Sequence, residues 1–141
     1  MPRPSIAHQS LVMWAIRKMQ ADGYVPFAYD GRIPRFDCLN QMLRSQEVNG
    51  LRPDALGYSD VIDGFALAEA KTPDDLLSSH TKYQLYRYKL LLSASGKVRL
   101  YFATARSAAP TADRVLQAAG LHVTRSIMRL HIPDCFLAEG D

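Results

Sequence analysis

Apolar positions recur at helical spacing over residues 6–21. Val12, Ala15, Ile16 and Met19 form a stripe, with Leu11 on one flank. Ser5 after Pro4 is placed to cap this helix, and Asp22-Gly23 to stop it. His8 falls on the same stripe, four residues before Val12. Residues 24–29 then read as a strand closed by Asp30-Gly31, with residues 33–39 as the second arm of a hairpin. Residues 40–50 are polar and fit a short helix or a loop. Strands are predicted over 51–58 and 65–71, joined by a turn with Asp63-Gly64 at its tip. Thr72-Pro73-Asp74-Asp75 breaks the pattern. A helix follows over 81–93, ended by Gly96, then a short apolar strand over 98–103. Pro110-Thr111 opens a helix that ends at Gly120, and residues 122–132 form a last strand or pair of strands. This order, strands first and helices interleaved later, predicts an α/β fold with a mixed central sheet flanked by helices.

The chain has 141 residues, the size of one domain, so residues 1–141 are read as a single unit. It is 48% hydrophobic and 22% charged, which excludes a disordered or fibrous chain. A net charge of +3 permits nucleic-acid binding without requiring it. Cys38 and Cys135 are too few and too far apart for a disulfide scaffold or a zinc site. Reduced thiols, no apolar run of membrane-spanning length and no signal-peptide core give the expectation of a soluble cytoplasmic protein with no membrane partner.

The chemistry concentrates in two segments, Leu51-Arg52-Pro53-Asp54 and Phe65-Ala66-Leu67-Ala68-Glu69-Ala70-Lys71. Strand side chains alternate between faces, so Phe65, Leu67, Glu69 and Lys71 share one face and three alanines the other. The apolar neighbours predict a buried strand, where an acid and an amine need a reason to be. Asp54, on the preceding strand, reaches the same space. Two carboxylates and a lysine suit a hard divalent cation together with an anionic substrate. Such a cation polarises a phosphoryl oxygen and acidifies a bound water, while a lysine neutralises charge developing on the phosphate. Plainer alternatives are a cross-strand ion pair for Glu69 and Lys71, and a turn role for Asp54 after Pro53.

Pro53-Asp54, followed after fourteen residues by Glu69-Ala70-Lys71, resembles the PD-(D/E)XK nuclease superfamily. The inferred element order is similar to its restriction-endonuclease-like αβββαβ core. Gln84-Leu85-Tyr86-Arg87-Tyr88 resembles the Q-x-x-x-Y motif of the RecB and lambda-exonuclease branch. The resemblance covers about residues 5–105. It implies a Mg²⁺- or Mn²⁺-dependent deoxyribonuclease that leaves a 5′-phosphate and a 3′-hydroxyl. Asp54, Glu69, the carbonyl of Ala70 and His8 would hold the metal. The superfamily's commoner first-helix glutamate is absent here, and no Glu precedes Glu47. Lys71 would act on the water or the transition state, with Gln84 holding Lys71 or the scissile phosphate. Tyr88, Lys82 and Arg87 would meet DNA. Tyr88 also fits the core, and His8 a satisfied core histidine. The short chain favours structure- or end-directed cutting in DNA repair, recombination or phage DNA processing. Resemblance to Holliday-junction resolvases adds the expectation of a homodimer. The alternative is a nuclease fold without catalysis that binds nucleic acid or a protein partner.

Overall fold

A computed structural model describes residues 5–29, 43–44, 51–121 and 126–137, with residues 43–44 described as backbone only. Helix α1 spans Ile6–Ala21, and the Ser5 side chain caps it by accepting from the His8 N–H at 3.0 Å. Its buried residues are Leu11, Val12, Ala15, Ile16 and Met19, the stripe and flank that the sequence predicts. Gly23 follows at φ 101°, in the left-handed region that ends the helix cheaply only with glycine.

Six strands form one mixed sheet: β1 (Val25–Tyr29), β2 (Leu43–Arg44), β3 (Ala55–Ser59), β4 (Gly64–Ala70), β5 (Val98–Ala105) and β6 (Ile127–Ile132), in the order β2-β1-β3-β4-β5-β6. β3 pairs antiparallel with both β1 and β4, whereas β4/β5 and β5/β6 are parallel. Parallel neighbours need crossovers. Helices α3 (Ser79–Ala94) and α4 (Ala109–Ala118) supply them. A one-turn helix, α2 (Pro73–Leu76), precedes α3.

The alternation along β4 sets the layers. Ala66, Ala68 and Ala70 pack against α1 with Tyr24, Tyr101 and Ala103. Leu67 joins Leu100 and Phe102 under Leu85 and Tyr88 of α3 and Leu116 of α4. Each fully buried Leu, Ile or Met contributes about 1.5–3 kcal/mol relative to exposure. The methyl-only face lets α1 lie close to the sheet.

Several expected boundaries move. The strand predicted over 51–58 starts at Ala55; Leu51 makes only an isolated bridge, and Pro53 has no N–H to continue a ladder. The segment read as a break at Thr72–Asp75 opens α2 instead. Pro73 is pre-set for its first turn, and Asp74 and Asp75 face the positive end of its dipole. Helix α3 begins at Ser79 rather than residue 81, because Ser78 accepts from the Thr81 N–H at 3.1 Å. The predicted hairpin arm at 33–39 lies outside the described residues, as does most of 40–50 and the start of the last strand at 122–125. The described neighbours of β1 are β2, in parallel, and β3. Cys135 is a free, exposed thiol, and Cys38 lies outside the described residues. Among the described residues no helix is long and apolar enough to cross a membrane.

Candidate active site

The hairpin of β3 and β4 closes the fourteen-residue gap. Its register pairs Ala55 with Ala68, which sets Asp54 opposite Glu69 one step further on. The Asp54 N–H donates to the Ala68 carbonyl at 2.9 Å, and the Asp54 carboxylate accepts from the Ala70 N–H at 2.8 Å through Oδ2. Lys71 lies one residue beyond β4, where its N–H donates to the Ala103 carbonyl and prolongs the parallel ladder. Glu69 is therefore flanked by β3 and β5, and Lys71 is tied to β5, at the C-terminal end of an interior strand.

Helix α1 supplies His8. Its Nε2 stands 3.3 Å from Asp54 Oδ2, while its buried Nδ1 has no hydrogen-bond partner. Helix α3 supplies the cover. Tyr88 is fully buried and donates from its hydroxyl to Glu69 Oε1 at 2.9 Å. Gln84, four residues earlier and on the same side of the helix, accepts from Lys71 Nζ at 2.5 Å. Lys71 Nζ is 3.9 Å from Glu69 Oε2, outside hydrogen-bond range, so its direct bond is to the amide.

The two carboxyl groups differ in acidity. Burial and the neighbouring Asp54 charge push Glu69 well above the usual carboxylate range, against the pull of Lys71. Burial opposes ionisation of Asp54 too, but hydrogen bonds from His8, Glu69 and the Ala70 N–H outweigh it and hold Asp54 low. Asp54 is thus the stronger acid of the two and Glu69 the weaker. Burial disfavours the imidazolium of His8, yet its bond to Asp54 and the Asp54 charge raise its pKa overall. Burial and the Glu69 charge raise Tyr88 well above the phenol range, so it remains a donor.

Among the described residues no three His, Cys, Asp or Glu side chains surround one point as a ligand cluster. His8, Asp54 and Glu69 form a hydrogen-bonded chain instead. Their chemistry nevertheless fits a hard divalent cation: two carboxyl groups in bonding contact need a proton or a cation between them at neutral pH, and an imidazole nitrogen stands beside them.

The structure therefore brings together His8, Asp54, Glu69, Ala70, Lys71, Gln84 and Tyr88. One expectation changes. Tyr88 has no exposed surface for DNA; it fixes Glu69 from within the core. Lys82, two residues and so about 200° around α3 from Gln84, lies on the opposite side of the helix and lines a groove against α4. Arg87, one turn after Gln84, stays on that residue's flank. One polar group escaped sequence reasoning. Thr104 is fully buried with its Oγ1 unpartnered, and it follows Ala103, whose carbonyl accepts from the Lys71 N–H. Its signal was the one aliphatic hydroxyl in the run Leu100-Tyr101-Phe102-Ala103-Thr104-Ala105.

The fold and this cluster define an α/β protein with two acids and a lysine converging at the end of a buried strand. No protein-family model matches the chain, and no curated protein or solved structure matches it.

Proposed function

We propose that this chain is a Mg²⁺- or Mn²⁺-dependent nuclease of the PD-(D/E)XK kind that hydrolyses DNA phosphodiester bonds. The observation that carries the reading is the β3/β4 register, which sets Asp54 against Glu69 with Lys71 beside them. Apart from the two-residue β2 and the one-turn α2, the succession α1, β1, β3, β4, α3, β5 is in keeping with an αβββαβ core. Asp54, Glu69, His8 and the Ala70 carbonyl would hold the cation. When bound, it supplies Lewis-acid polarisation of a phosphoryl oxygen and a more acidic water.

The protein's own groups do the rest. Tyr88 orients the Glu69 carboxyl, and the Ala70 N–H and His8 orient Asp54. Gln84 fixes the Lys71 ammonium, so its charge is already in place when negative charge builds on the phosphoryl oxygens. Water adds to phosphorus, the bond to the 3′-oxygen breaks, and that oxygen takes up a proton. The products are a 5′-phosphate and a 3′-hydroxyl.

The test is cleavage of labelled single-stranded, duplex, flapped and four-way-junction DNA with Mg²⁺, Mn²⁺ or EDTA, in wild type and Lys71→Ala. Lys71→Met, closer in volume, controls for folding. Metal-dependent cutting that falls by about 10²–10³-fold in both variants is expected. Cutting that persists in EDTA, or that both variants retain, overturns the assignment. A folded protein that cuts nothing with either metal is instead a nuclease-like fold that only binds.

A further inference from the structure

The second feature of α3 is the side turned away from Gln84. Between α3 and α4 runs a groove of about 720 Å³, and Leu77, Lys82, Tyr86, Lys89, Arg114 and Val115 line it. A second, smaller cavity of about 260 Å³ abuts it across Lys89 and Gly120 and reaches Leu92 and Ser93. From Lys82 to Ser93 this follows three turns of helix, roughly 17 Å.

Its chemistry is one-sided. Lys82, Lys89 and Arg114 are cationic, and no carboxylate is among the described residues lining it. The Lys89 ammonium lies across Gly120: a Cβ there would stand 2.7 Å from Nζ, so this charge sits over the backbone at the end of α4. Arg114 is oriented by Thr111, whose hydroxyl lies 3.3 Å from Nη2. Tyr86 is 55% exposed and Tyr83 beside it 54%, although buried tyrosines are available to the core elsewhere.

We infer that this groove binds single-stranded nucleic acid, with phosphates on Lys82, Lys89 and Arg114 and an unpaired base stacked on Tyr86. Cations spaced along a trough follow a polyanionic backbone, and an exposed ring offers a face to any base. A duplex keeps its bases stacked on each other, so the tyrosine favours one strand over two. The inference rests on the proposed nuclease function only in choosing a polynucleotide as the anion. It assigns α3 two tasks: Gln84 and Tyr88 hold the acid–lysine cluster, and the other side holds a strand leading away from it.

The experiment is fluorescence anisotropy of a labelled 15-nucleotide oligothymidylate in EDTA at two salt concentrations. Wild type is compared with Lys82→Glu/Arg114→Glu and with Tyr86→Ala, all changes at exposed positions. Binding should weaken with salt, the double variant should lose at least tenfold, and Tyr86→Ala about fivefold or more. Overturning results are an absence of binding, an affinity the double variant leaves unchanged, equal affinity for duplex, or displacement by polyglutamate as effective as by unlabelled oligonucleotide. Since no cutting is expected in EDTA, a protein that binds here but cleaves nothing would retain the groove and lose the nuclease.

Discussion

Glu69 is 2% exposed and surrounded by groups that divide its tasks. Asp54 raises the cost of its charge, Tyr88 satisfies one oxygen, and Lys71 is kept at 3.9 Å by its stronger attachment to Gln84. A buried acceptor that loses its only hydroxyl donor keeps its desolvation cost. Tyr88→Phe preserves the ring and its packing but removes that donor, so it should lower stability by about 1–3 kcal/mol in urea unfolding. An unchanged midpoint would show that the hydroxyl does not support Glu69. The pairing of Glu69 and Lys71 on one face was legible from alternation alone. The weakened acidity of Glu69 was not, since it depends on burial and on Asp54, which is distant in sequence and adjacent only after the hairpin closes.

At the level of elements, the turn into β4 is constrained by backbone packed against it. A Cβ on Gly64 would stand 2.8 Å from the Lys97 carbonyl oxygen, and that carbonyl already accepts from the Phe65 N–H at 2.7 Å. Backbone cannot swing aside as a side-chain end can. Gly64→Ala should therefore destabilise the protein by about 1–3 kcal/mol, whereas Gly96→Ala, with nothing within 4 Å of its new methyl, should be close to neutral. Equal thermal midpoints for the two variants would contradict this. The helices α1, α3 and α4 were readable because capping and periodicity are local signals. The start of β3 was misplaced because Leu51 is apolar and buried, whereas Pro53 between it and Ala55 has no N–H for the ladder. The helical turn α2 was hidden because Pro and two Asp residues also mark loops.

Across the molecule, Asp22 ties the end of α1 to the sheet. Its carboxylate accepts from Tyr101 Oη at 2.7 Å and Lys18 Nζ at 3.0 Å, and Arg99 lies 3.9 Å away. Burial works against its charge, but these partners outweigh burial and depress its pKa. A depressed aspartate stabilises the fold fully above its unfolded pKa, about pH 4, and the benefit disappears as pH falls through the lower folded value. Wild type should thus exceed Asp22→Asn in urea midpoint at pH 7, and the gap should shrink on acidification below about pH 4. A gap of constant size would refute the assignment.

The sequence by itself determined that α1 and α3 are helices, which face of β4 is alanine and which carries Glu69 and Lys71, because these follow from the 3.6- and 2-residue periods of the backbone. It also placed Gln84 and Tyr88 on one side of a helix. Only the tertiary structure decided that this side meets Lys71 and Glu69, that Tyr88 is sealed in the core, and that Lys82 faces α4 across a separate groove. Periodicity fixes relative angles around a helix, but its rotation against the sheet is set by packing of Leu85 and Tyr88 on Leu67 and Phe102, contacts between segments no local pattern connects.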